Sequence, residues 1–297
     1  MDFYKKSKEN SKIVIKISII TIIVNLILVV AKTIVGVLFN NLSVLSDAIH
    51  SGTDFITSFI IIGAVFLSNP KRDKDHNYGH EKVEPLVVLL LALIIGVVGV
   101  FLGYEGVMGI LAPQAAQLNW YLIGVVIFSI LIKEWMFHYE MHYAKKINSE
   151  ILKADAWHSR SDSLASVAVL IGLIGSVFIK TNILESIAVI IVALFIIKVA
   201  IDIAIPAVNQ LIDKSADEET VNKIKEITKH VEGVLDIDLV RTRIFGNAIY
   251  VDIDIVVDGN LTTTQSHNIA QVVHDTLESK DDLRIKHCIV HVNPAKE

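Results

Sequence analysis

The stretches SDAIHSGTDF (46–55) and ADAWHSRSDSL (154–164) each place a histidine four residues before an aspartate, within otherwise apolar sequence. The residues are His50, Asp54, His158 and Asp162. In a helix, positions i and i+4 share a face, so each pair can form half of a metal site. Two pairs supply the four nitrogen and oxygen ligands of a tetrahedral zinc site. Because ionisable residues in membrane helices are costly, they indicate function. We predict a membrane-embedded divalent-metal site.

Two readings of this pattern stay open at the level of sequence. Each pair could instead be a hydrogen-bonded His–Asp couple that only holds helices together. Asp47 and Asp155 lie three residues before the two histidines. They would either orient the imidazole rings as outer-shell groups or act as carboxylates at helix N-termini.

Composition separates the chain into two regions. Hydrophobic residues make up 53% of the 297 residues and charged residues 20%, which is too apolar for an ordinary soluble protein. Long apolar runs fill the first two thirds, so we predict a transmembrane domain at 1–208 and a charge-rich cytosolic domain at 209–297. The net charge of −5 argues against a nucleic-acid-coating protein. The single cysteine, Cys288, excludes an intrachain disulfide and suits a reducing cytosol.

Six membrane-spanning helices can be drawn, each with roughly twenty apolar residues. The predicted spans are 13–37, 43–67, 84–112, 119–143, 148–178 and 184–206. Lysine and arginine residues concentrate at the N-terminus and in the loops after spans two and four, so the positive-inside rule places both termini in the cytoplasm. We therefore expect a multi-pass protein of the cell (inner or plasma) membrane.

The C-terminal region predicts the order helix, strand, strand, helix, strand. DIDLVRTRIF and AIYVDIDIVV flank a Gly246-Asn247 turn and alternate as a hairpin. An αββαβ order is typical of a small two-layer α+β domain of ferredoxin-like type. His274 on the second helix is expected to be an exposed helical residue.

With these features the chain resembles the cation diffusion facilitator family, in particular its YiiP-like zinc/proton antiporters. The resemblance rests on six spans, HxxxD in the second and fifth spans, and the αββαβ tail. It implies a homodimer in the lipid bilayer that exchanges cytosolic divalent metal for protons by alternating access. By resemblance, the two His/Asp pairs are the transport site and favour Zn²⁺, with Fe²⁺, Mn²⁺, Co²⁺ or Cd²⁺ as other cargo. Zn²⁺ is also expected as a regulatory ion.

The resemblance implies further sites outside the spans. A cytoplasmic-loop metal site comprises Asp73, His76 and His80, and a charge interlock comprises Lys82 and Asp213. The tail metal site comprises Asp238, Asp254, His267 and His291, to which His287 is added because it shares a strand face with His291. Asp238 and Asp254 stand where the family has imidazoles, and Asn293 stands where it has a carboxylate. These changes favour harder cations. A solvated loop and a metal-free dimerisation tail are the alternatives.

Two other classes of function are weighed against transport. A membrane-anchored metal sensor, whose spans only dimerise, would need no ligands inside the membrane. A membrane metalloenzyme would need a general base beside an open metal site, as in HExxH, and this motif does not occur. We therefore expect a divalent-metal exporter rather than an enzyme.

Overall fold

The protein is described by a computed structural model. It describes residues 2–38, 57–68, 73–113, 120–179, 183–246, 248–280 and 282–295. Within these ranges, six helices precede the tail: α1 (Asp2–Leu38), α2 (Thr57–Leu67), α3 (Val83–Leu111), α4 (Trp120–Ile147), α5 (Glu150–Ile179) and α6 (Ile183–Leu211). The chain divides into two compact units, of which one spans Lys8–Ala207 and the other contains Val208–Glu297.

Three of the helices are long and apolar enough to cross a membrane: Glu9–Val35, Val83–Leu111 and Ser186–Leu211. The predicted helical membrane domain is therefore confirmed, whereas the number of six spans stays a prediction. Helices α4 and α5 have the necessary length, 28 and 30 residues, but they carry ionisable side chains along their middle turns. Residues 43–56 of the predicted second span lie outside the described residues.

Helices α4 and α5 are joined by a very short turn. Asn148 has a φ of 52°, in the left-handed region that commonly ends a helix. The next residue, Ser149, accepts a hydrogen bond from the backbone N–H of Leu152 at 3.3 Å, as an N-cap does. The two helices therefore run antiparallel from this turn and pack along their lengths.

Helices α3 and α6 approach closely at two glycines of α3. A Cβ atom at Gly99 would lie 2.9 Å from Cγ1 of Ile197, and one at Gly106 would lie 2.7 Å from Cγ1 of Ile190. Small residues allow such backbone approach between membrane helices, where van der Waals packing replaces the hydrophobic effect. Around this contact lies an apolar core with contributions from α1 to α6, including Ile17, Ile61 and Ile95.

The tail has the predicted αββαβ order. Its elements are α7 (Glu218–Lys229), β1 (Asp236–Phe245), β2 (Ala248–Val257), α8 (Thr263–Glu278) and β3 (Ile285–Pro294). The sheet order is β1-β2-β3, with β1 antiparallel and β3 parallel to β2. Its core is lined by the alternating inward residues of β2 and by α7, α8 and β3.

Both tail helices begin at caps that the sequence supplies. Asp217 accepts from the backbone N–H of Thr220 at 2.8 Å, which lowers the pKa of the Asp217 carboxyl. Thr262 forms a capping box with Gln265 at the start of α8. The first cap fixes the start of α7, and the second fixes the start of α8, the helix that packs beside β3.

Candidate metal centres

Helix α5 places Asp155, His158 and Asp162 along one face, at spacings of three and four residues. Asp155 and His158 are buried, with 1% and 8% of their surface exposed. The predicted partners His50 and Asp54, and the outer-shell candidate Asp47, lie outside the described residues. The structure therefore describes one half of the predicted transport site.

The carboxylate of Asp162 is held by a cation from the neighbouring helix. Nζ of Lys133 on α4 lies 3.0 Å from Oδ2 of Asp162, and the two side chains are only 5% and 10% exposed. Sequence reasoning missed this lysine because the fourth span was drawn by its apolar residues. The signal was present in LIKEWMFHYE, which places charged residues inside an apolar helix.

A second buried acid lies further along the same helix pair. Glu140 of α4 is fully buried and accepts hydrogen bonds from Thr21 of α1 at 2.7 Å and from Ser159 of α5 at 3.3 Å. Ser159 directly follows His158, so these bonds tie three helices together beside the predicted metal ligand. Sequence reasoning also missed Glu140.

The predicted loop residues converge in space. Nε2 of His80 lies 3.1 Å from Oδ2 of Asp73 and 3.1 Å from Nδ1 of His76. The Asp73 carboxylate also accepts the backbone N–H of His76 at 2.6 Å, and this hydrogen bond is the largest cause of a lowered pKa for Asp73. One ligand atom from each of the three residues lies within 4.8 Å of the others. The three side chains can therefore share one metal ion.

The predicted metal ligands of the tail do not converge as closely in space as those of the loop. Oδ2 of Asp238 accepts a hydrogen bond from Nδ2 of Asn293 at 2.8 Å. Asp254 and His291 are partners across the β2–β3 register, and His267 and His291 are exposed. Within the described part of the chain, the tail's one tight group of three metal-ligating residues instead combines His287 with two residues of α8.

Those two residues are His274 and Glu278. The expectation that His274 is simply exposed is wrong, because its side chain is 26% exposed and its Nδ1 lies 2.7 Å from the carbonyl oxygen of Cys288. Helix α8 packs against β3 and brings this histidine onto the strand. The charge-interlock candidates belong to different units: Lys82 precedes α3, and Asp213 follows α6 with a φ of 61°.

These features define an integral membrane protein equipped to handle metal ions. They are the apolar helices, the imidazole–carboxylate pair on α5, and the clustered His/Asp groups outside the long apolar helices. A family model described as the cation efflux transmembrane domain matches residues 18–212. A second, described as the cation efflux protein cytoplasmic domain, matches residues 216–295. The chain belongs to the cation efflux, or cation diffusion facilitator, family of metal transporters.

Relatives extend over nearly the whole chain. An uncharacterised transporter of Methanocaldococcus jannaschii is 34% identical over 93% of this chain and 96% of its own length. The manganese efflux system protein MneP of Bacillus subtilis is 28% identical over 97% of this chain and 98% of its own length. A solved structure of the MamM C-terminal domain is 30% identical, covers 27% of this chain and 98% of its own, and has a TM-score of 0.26.

Proposed function

We propose that this protein exports divalent transition-metal cations from the cytosol in exchange for protons, by alternating access, with His50, Asp54, His158 and Asp162 as the transport site. Family membership supports metal efflux. The proton exchange, the alternating access and the four ligands are our proposal. The observation that supports the site assignment is the Asp162 carboxylate, which is largely buried and lies 3.0 Å from the ammonium nitrogen of Lys133.

The physical support comes from the cost of burying charge. An unpaired carboxylate in an apolar interior is strongly unfavourable, so Asp162 needs a positive partner whenever its carboxyl is not protonated. Lys133 supplies that partner in this structure. A divalent metal bound by His158 and Asp162 would supply it in the loaded state, because the two residues share one face of α5.

Proton exchange follows from the ligand chemistry. Imidazole and carboxylate bind protons as well as metals, and metal binds only their deprotonated forms. A proton arriving from the opposite side therefore releases the metal, and the proton gradient drives export. The same chemistry makes uptake of metal weaker as the pH falls.

The cargo is the least restricted part of the proposal. Two histidines beside two aspartates suit Zn²⁺, whereas carboxylate-rich tail positions such as Asp238 and Asp254 suit harder ions. The relative MneP is a manganese efflux protein by name. We therefore propose Zn²⁺ as the first candidate and Mn²⁺ as the second, with Fe²⁺, Co²⁺ and Cd²⁺ as further cargo.

We also propose that the chain works as a homodimer in the cell membrane, with both termini cytoplasmic. The cytoplasmic domain that matches residues 216–295 would provide the dimer contact, and Lys82 with Asp213 would form the charge interlock. The loop group Asp73, His76 and His80 would bind metal on the cytosolic side before transport.

Transport by purified protein in proteoliposomes tests the site. We expect Asp54→Ala and Asp162→Ala to abolish metal/proton exchange, because each removes a charged ligand. Asp162→Ala also removes the carboxylate beside Lys133, so its Tm should fall, and size-exclusion chromatography in detergent checks that both variants still fold as inserted dimers. Asp275→Ala, an exposed aspartate of α8, is the matched control and keeps the wild-type rate. Full exchange by both ligand variants would refute the site. Repeating the assay with the five cations, with and without a pH gradient, identifies the cargo.

A further inference from the structure

Three metal-ligating side chains meet where α8 packs along β3. Glu278 lies one turn after His274 on α8, and His287 stands on β3. Oε1 of Glu278 lies 3.3 Å from Nε2 of His274 and 3.0 Å from Nδ1 of His287. Two imidazole nitrogens and one carboxylate oxygen are the donor set of many three-ligand zinc sites, in which water takes the fourth position.

A hydrogen bond to the strand orients the His274 ring so that its other nitrogen can bind a metal ion. Its Nδ1 lies 2.7 Å from the carbonyl oxygen of Cys288, and a carbonyl only accepts, so Nδ1 carries the hydrogen. In the neutral ring, Nε2 is left with a lone pair that faces the Glu278 carboxylate. Metal-ligating histidines almost always donate their other N–H in this way, which fixes the tautomer and the ring orientation.

Glu278 is anchored by the same strand residue. Its Oε1 accepts the backbone N–H of Cys288 at 3.0 Å, so the N–H and the C=O of one β3 residue hold two side chains of α8. A lone pair on His274 Nε2 and an anionic oxygen 3.3 Å away repel each other unless a proton or a metal ion lies between them. A divalent cation at this point would satisfy both atoms and His287 as well.

The distances between the three ligand atoms fit a single divalent metal ion. In a tetrahedral site with metal–ligand bonds of about 2.0–2.2 Å, ligand atoms lie roughly 3.4 Å apart. The Glu278 oxygen is already 3.0–3.3 Å from the two nitrogens, and all three ligand atoms lie within 4.8 Å of one another. The side chains are 26–33% exposed, so an ion can enter from solvent.

We propose that His274, Glu278 and His287 form a cytosolic site for a divalent transition metal of the Zn²⁺ class. His287 then belongs to this site and not to the predicted tail set, which keeps Asp238, Asp254, His267 and His291. A bound ion would cross-link α8 to β3 within one subunit. This site does not depend on the transport ligands in the membrane.

Hydrogen–deuterium exchange on the purified full-length protein in detergent tests the site, with Zn²⁺ as the probe. Added Zn²⁺ should slow amide exchange in 274–290 of the wild type, because an ion would lock α8 onto β3. His274→Ala removes a ligand, and Glu278→Gln removes the charge while keeping an acceptor for the Cys288 N–H. Both variants should lose this protection, and their zinc affinity at this site should fall at least tenfold.

His230→Ala, at an exposed histidine that follows α7, is the matched control and should keep the protection. Equilibrium dialysis with Zn²⁺ supplies a second measurement, in which His274→Ala and Glu278→Gln should each bind one ion fewer per chain than His230→Ala. Unchanged exchange of 274–290 in wild type on adding Zn²⁺, or full stoichiometry in both variants, would overturn the proposal. A transport-dead Asp162→Ala protein should still show the protection, so failure of this site and failure of the transport site are distinguishable.

Discussion

Replacing Lys133 with methionine removes one ammonium group and keeps a long apolar side chain. In the wild type that group lies 3.0 Å from the Asp162 carboxylate, in surroundings that leave the two side chains 5% and 10% exposed. The variant therefore leaves a buried carboxylate without the cation that the structure places against it. We expect two effects: a loss of stability without metal and a gain in metal affinity.

The loss of stability in the Lys133→Met variant can be estimated from the distance between the Lys133 and Asp162 charges. Two unit charges 3.0 Å apart attract by about 5 kcal/mol at an effective dielectric constant near 20. Removing one partner of a buried pair costs about 3–5 kcal/mol, because the other charge is left uncompensated. For a domain of roughly two hundred residues, this corresponds to a fall in Tm of about 6–20 °C.

Added metal should reverse this loss. In the variant, a divalent ion at Asp162 replaces the missing cation, whereas in the wild type it must first displace Lys133. We expect the metal dissociation constant to fall roughly tenfold or more, which corresponds to about 1.4 kcal/mol. Turnover should slow, because no ammonium group competes for the carboxylate when the metal leaves.

Thermal unfolding of purified protein with and without Zn²⁺ measures both effects. Lys153→Met is the matched control: Lys153 pairs with Glu150 at 3.3 Å on the same α5, but the side chains are 48% and 42% exposed, so its loss should cost about 0–1 kcal/mol. The double variant Lys133→Met/Asp162→Asn should regain stability, because neither position of the pair then carries a charge. A Lys133→Met protein with the Tm and the zinc shift of the wild type would refute the reasoning.

Two further predictions concern groups outside the apolar helices. The double variant Asp73→Asn/His76→Ala should lower the initial transport rate at limiting metal without abolishing it, and a wild-type rate would show that the loop group does not bind cargo. Burial raises the pKa of the Cys288 thiol from 9.0 to about 12, so at pH 8 alkylation by iodoacetamide should be about 1000-fold slower in native than in denatured protein. Since the unfolded thiol ionises first, this group costs no stability below about pH 9 and destabilises the tail as the pH rises from 9 towards 12. Equal alkylation rates would show that the thiol is accessible.

The tail illustrates how far local sequence rules reach. The hairpin strands 236–245 and 248–257 occupy the residues that their alternation and the Gly246 turn predict. Helix α8 begins at the threonine cap that the sequence offers. These features depend on neighbouring residues only, so a single sequence contains the information.

The His274 group could not be found by the same rules. A histidine and a glutamate four residues apart look like an ordinary solvated helix face. Their partner His287 reaches them because β3 is parallel to β2 and α8 is the connection between the two strands. The register of β3 and the packing of α8 on it are tertiary, so no local pattern predicts that these three side chains meet.

The membrane region shows a different limit of sequence-based prediction. Apolar runs predict where a span lies, but not which of its charged residues pair with residues of another helix. Lys133 and Glu140 lie inside the predicted fourth span, 119–143, and inside a 28-residue helix, but neither belongs to a His/Asp pair at i, i+4 spacing, so the ligand pattern assigns them no role. The short turn at Asn148 makes the partner of Lys133 predictable. Lys133 and Asp162 stand nearly the same number of residues from that turn, and at 1.5 Å per residue both lie about 22 Å along an antiparallel helix pair.

This pairing also bears on the return step of the transport cycle. A carrier that has released its metal must change its facing state with an empty site, and an unpaired carboxylate moved through an apolar interior would raise that barrier. If Asp162 is the transport ligand that we propose, Lys133 neutralises it whenever the metal is absent. The Asp162 carboxylate then passes between an internal ammonium group and the cargo, while the protons that are exchanged for the metal return on the imidazoles of the site. On this view α4 contributes no metal ligand, yet it sets how tightly the metal is held and how readily the empty transporter resets.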